Sequence, residues 1–136
     1  LFRRATSTSC TTTFQSIKIQ TKTLMAIHKK TQITIDVDLD ENNIPEQMKW
    51  TAPDGGISEK DTKALLLSFW DEENQETLKM DLWVKEMPID QMQLFFHQTL
   101  VSLSDTFYRA TQDEKMTATM KDFCDYFAEK LELKKP

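Results

Sequence analysis

Glycine, cysteine and histidine are scarce in this sequence, and each scarcity removes a class of answer. The only two glycines are adjacent, at Gly55-Gly56, so no GxGxxG or GxxxxGK[ST] phosphate loop is present. Two cysteines, Cys10 and Cys124, lie far apart without a CxxC spacing, which excludes a disulfide scaffold and a cysteine zinc site and fits a reducing compartment. The histidines, His28 and His97, are too distant in sequence for an HExxH or HxxxH pair. The expectation is therefore no metal and no cofactor. Long apolar runs are missing too: nothing approaches the roughly 20 residues of a membrane-spanning helix, and no apolar core of a secretory signal occurs. The reading accordingly expects no membrane insertion.

Acidic residues are absent from the first thirty positions, which carry Arg3, Arg4, Lys18, Lys22, Lys29 and Lys30 for a charge of +6. Set against the total of −5, residues 31–136 hold −11. A body of that sign does not neutralise phosphates over a broad face, so nucleic acid is excluded as a partner, and anionic membrane surfaces repel it. Residues 1–24 are rich in Thr and Ser, and the first methionine is Met25. This reading starts translation at Met25 and treats the preceding residues as upstream and disordered, which leaves one domain over residues 29–133.

What is present is organised around Glu76–Tyr108. Leu78, Met80, Leu82 and Val84 alternate with Lys79, Asp81, Trp83 and Lys85, the period of a half-buried antiparallel strand. After Met87-Pro88-Ile89, residues Met92, Phe95, Phe96, Thr99, Leu100, Leu103 and Phe107 recur at helical spacing. Asp90 with Gln93 reads as a capping box, and Ile89 with Leu94 as a hydrophobic staple. The same reasoning gives strands over Gln32–Leu39, Gln47–Thr51 and Lys63–Asp71. Pro53-Asp54-Gly55-Gly56 reads as a turn, and Ser58–Asp61 as a short helical turn capped by Ser58. A first helix is expected from about Asp90 to Ala110. A second should start at a Thr111-x-x-Glu114 box, its stripe formed by Met116, Met120, Phe123, Phe127 and Leu131. The expected fold is α+β: one four-stranded, mostly antiparallel sheet in the order β-β-β-β-α-α, with a C-terminal two-helix hairpin packed on one face and the other face open.

Few residues carry chemistry. His97 stands on the first helix without a nucleophile or carboxylate at a distinctive spacing, so no catalytic residue is assigned. It marks an alternative reading, a small-ligand-binding or hydrolytic domain with His97 lining a sheet–helix cleft. Asp36, Asp38 and Asp40 alternate along one strand, but same-face residues stand nearly 7 Å apart, too spread for one cation. Cys124 sits between Asp122 and Asp125, which raise a thiol pKa, and reads as packing; Trp50 and Trp70 read as ordinary core residues. Trp83 is different. With Leu82 and Val84 claiming the core side, it faces out between Asp81 and Lys85, and these three form the candidate interaction surface.

Several long segments together carry a resemblance: the DLWVKEMP corner, Asp81–Pro88; the run from FFHQTL to DTFYRATQDE, Phe95–Glu114; and KALLLSFWD and MKDFCDYFAEKL. Over about Lys29 to Leu131 the chain resembles GldC, a gliding motility-associated family of Bacteroidota. The resemblance implies a small, soluble accessory component of the gliding machinery with no catalytic motif to carry over. The missing signal peptide fits a cytoplasmic location, and the lack of a catalytic constellation together with the outward Trp83 leads to the expectation of a non-enzymatic protein that works through contact with a protein partner, a gliding-machinery component. An exposed sheet face or edge strand also leaves room for a homodimer.

Overall fold

The computed structural model describes residues 26–133. The chain divides into two units at Lys30. Of the first, residues 26–30 are described, as exposed coil; the expected start at Met25 and the disorder of residues 1–24 lie outside the described residues. The second unit carries every element of the described residues: β1 (Thr34–Leu39), β2 (Pro45–Ala52), a 3-10 turn (Pro53–Gly55), β3 (Ile57–Thr62), β4 (Ala64–Asp71), β5 (Glu76–Trp83), α1 (Ile89–Thr111) and α2 (Glu114–Lys130). The class is α+β with a C-terminal helical hairpin. The sheet, however, is not one of four strands: there are two antiparallel sheets, β1-β2-β3 and β4-β5.

The extra strand is β3, where the sequence reads a helical turn. Ser58 to Asp61 are polar and exposed, so β3 has no apolar period to announce it. It exists because β2 offers a ladder for its backbone, Met48 opposite Thr62, Lys49 opposite Asp61 and Trp50 opposite Lys60. Glu59 takes a left-handed φ of 44° where the register shifts, and its N–H donates to Thr51 Oγ1 at 3.0 Å. On the other side of β2, Val37 pairs with Met48, the most deeply buried apolar side chain at 1% exposure.

Lys63 alone separates β3 from β4, and the two sheets are tied at that corner. Val84 N–H donates to Lys63 O at 2.9 Å, and Lys85 N–H donates to Pro45 O at 3.2 Å. Val84 is buried there. The turn from β1 to β2 is shaped by Asp40, whose Oδ1 accepts from Asn42 N–H and Ile44 N–H, while Asn43 takes φ 60°. Asp40 therefore belongs to the turn and does not continue the row of Asp36 and Asp38 on β1.

Both helix starts differ from expectation. Pro88, extended at ψ 143°, holds the N-cap position of α1 and no side chain caps it; Asp90 lies in the first turn. Ile89 is 78% exposed, so no staple forms. For α2 the cap is Asp113, whose Oδ1 accepts from Met116 N–H at 2.9 Å. Thr111 instead closes α1, donating to Phe107 O. Gln112 ends α1 in a left-handed φ of 58°. Lys121 bridges from α2 to Asp105 of α1 at 3.1 Å, and Ser104, Thr117 and Cys124 are the buried residues of the two helices.

The core is thin. Leu78 and Met80, expected inside, are about half exposed, as are Met116 and Phe123 of the α2 stripe, and Trp70 is 67% exposed. The periodicities are present, but the apolar faces they define extend beyond what the described residues cover.

Candidate functional site

On β5 the side chains of Lys79, Asp81 and Trp83 share one face, opposite Ser68, Leu66 and Ala64 of β4. The sequence reading leaves that face bare. At the Trp83 end it is not: Met92, Phe95 and Phe96 of α1 line a small cavity together with Ala64, Leu66 and Trp83. The cause is the short link. Only Val84 to Pro88 separate β5 from α1, so the first turns of the helix must lie near the strand they follow.

Beside this contact runs a groove of about 360 Å³, lined by Trp83, Met87, Ile89, Met92, Gln93, Phe96 and Phe127. Trp83 keeps 53% of its surface exposed and Ile89 more, so two large apolar side chains stand in water at the groove. Gln93 is its one polar side chain, and no titratable group lines it. Such a lining binds by burial and ring contact, with one amide to orient what enters.

The other sequence-nominated residues fall elsewhere. Asp81 is exposed and paired with Lys79 at 3.0 Å. Lys85 bridges to Glu46 and to Asp40, the latter at 3.4 Å, which ties the end of β5 to β2 and its preceding turn. Its ammonium is held above the usual lysine range, chiefly by the bond to Glu46, and Asp40 is held below the usual carboxylate range, chiefly by the Ile44 N–H. Lys85 thus braces the corner behind Trp83. His97 is half-buried and stacks on Phe127, with ring centroids 6.3 Å apart and planes at 16°. It does not line the groove; the Phe127 ring does. The buried Cys124 thiol is pushed up by desolvation first, then by Asp125 and Asp105. Among the described residues no group of three His, Cys, Asp or Glu side chains is placed to hold a metal ion.

Sequence reasoning missed Met87, Ile89 and Phe127 as neighbours of Trp83. The signal for the first two was available: apolar residues on both sides of Pro88, in a connection too short to bury them.

Among the described residues no helix is long and apolar enough to cross a membrane. A family model described as gliding motility-associated protein GldC-like matches residues 45–133, about two thirds of the chain, from β2 to the end of the described residues. No curated protein and no solved structure matches.

Proposed function

The chain belongs to the GldC-like family of gliding motility-associated proteins, and from that premise we propose that it is a cytoplasmic accessory protein of gliding that acts by contact with another protein and performs no catalysis. The observation that carries this reading is the Trp83 groove. A half-exposed Trp and a more exposed Ile flank an apolar trough at a corner braced by Lys85. Large aromatic anchors beside water-excluding apolar contacts are the usual centre of a protein interface. The partner we assign is a component of the gliding machinery that presents an apolar side chain, or a short apolar segment, to the groove.

The test is gliding itself. In cells carrying Trp83→Ser or Ile89→Glu in place of the parent chain, gliding falls to the level of cells lacking the protein, while the amount of protein stays normal. Full motility of both variants at normal abundance would remove the groove from the function.

A second reading rests on the groove's volume, which also suits a small apolar ligand. Native mass spectrometry of the full chain separates the two: a bound small molecule lost on Trp83→Ser favours the ligand, and an unliganded mass favours the protein partner. On either reading we place the contact at Trp83 and Gln93 and give His97, which stacks on Phe127, no direct part in it.

A further inference from the structure

Four strand edges are open among the described residues, those of β1, β3, β4 and β5. Three are guarded in the way natural sheets avoid pairing. β1 carries Asp36 and Asp38, β5 carries Glu76, Lys79 and Asp81, and β3 carries Glu59, Lys60 and Asp61 with a left-handed kink at Glu59. β4 has no such protection. From Ala64 to Trp70 it contains no charge, no proline and no glycine, and its ladder to β5 runs unbroken over eight pairs.

We propose that β4 pairs antiparallel with β4 of a second copy, about a two-fold axis at Leu67. The strand reads as its own complement in that register. Leu67 meets Leu67 of the second copy, Leu65 meets Phe69, Leu66 meets Ser68 and Ala64 meets Trp70. At each end Lys63 comes opposite Asp71, whose carboxylate also accepts from Glu73 N–H, Asn74 N–H and Asn74 Nδ2 in its own hairpin turn, so opposite charges lie near each other twice. A shift of the register in either direction breaks both charge matches. The rows across the joined sheet are apolar as well, because Leu67 already pairs with Met80, Leu65 with Leu82 and Phe69 with Leu78. Met80-Leu67-Leu67-Met80 then spans four strands.

Phe69 is 58% and Trp70 67% exposed, and Leu66 is 39% exposed, so β4 carries apolar surface that a neighbouring strand would partly cover. A two-stranded sheet is marginal by itself, and pairing makes it four-stranded. Ala64 and Leu66 border the groove through the cavity they share with Trp83, but no residue of β4 lines the groove itself, and the pairing does not rest on the groove's role.

Sedimentation of the full chain tests the assignment. The parent chain is expected at twice its 15.9 kDa mass at micromolar concentration. Leu67→Lys sets two like charges together on the axis and is expected to weaken association at least about a hundredfold, with an unchanged far-ultraviolet circular dichroism spectrum. Should that variant unfold, Leu67→Cys in a Cys10→Ser background decides. Its introduced thiol is expected to form a disulfide between copies on mild oxidation, while that of Ser68→Cys in the same background is not. A monomeric parent chain, a dimer indifferent to Leu67→Lys, or equal cross-linking from positions 67 and 68 would each overturn the proposal.

Discussion

Asp40 and Lys85 show how much of a residue's role depends on chain segments that sequence does not bring together. Lys85 is read from sequence as part of an exposed surface beside Trp83, because the strand period ends there. In the fold it reaches back some forty positions to Asp40 and Glu46. No local pattern encodes that. The consequence is measurable. Asp40 is ionised more readily in the folded chain than in the unfolded one, since Ile44 N–H, Asn42 N–H and Lys85 all stabilise its anion. A depressed carboxylate contributes stability above its unfolded value and loses it as pH falls through the folded one. Asp40→Asn should therefore melt below the parent at pH 7, with the gap closing as the pH is lowered through about 4 and beyond. A gap that stays constant down to pH 2 would show that the turn does not depend on this charge. Trp83, by contrast, was legible: its phase on β5 sets it opposite Leu82 and Val84, and Val84 is indeed buried. What the phase did not reveal was the helix lying over its face.

Elements were legible in proportion to their apolar period. α1, α2, β4 and β5 appear within a few residues of their expected bounds, since burial on one side imposes a repeat. β3 was invisible for the opposite reason, being a polar edge strand held by backbone bonds to β2. The helix starts were misread because Ser, Thr, Asp and Asn near a boundary compete for one role, and the backbone decides between them. That choice can be checked: Asp113→Ala should cost about 1 kcal/mol in urea unfolding, the usual loss of an N-cap. Thr111→Ala, outside the cap, should cost clearly less. Reversal of that order would restore the capping box that the sequence expects. At the centre of β2, Met48→Ala should cost about 2–5 kcal/mol by the same assay. So thin a core has few other contacts to absorb the loss.

Taken together, the described residues hold more apolar surface than they cover, although residues 31–136 carry a net charge of −11. On the function proposed above, such surface is where contacts with other molecules form. Two such places are distinguishable here, the Trp83 groove and the bare edge of β4. The family was legible in long segments such as Asp81–Pro88, and its match begins only at residue 45, after β1. The groove was not legible, because its wall comes from β5, the Met87–Ile89 link, α1 and Phe127 of α2 together. The most direct measurement is quantitative capture of the tagged full chain from its native cells, run in parallel with Trp83→Ser at equal abundance. A gliding-machinery protein is expected to be enriched with the parent and lost with Trp83→Ser, while recovery of the chain itself is unchanged. Equal enrichment with both, or no gliding component with either, would contradict it.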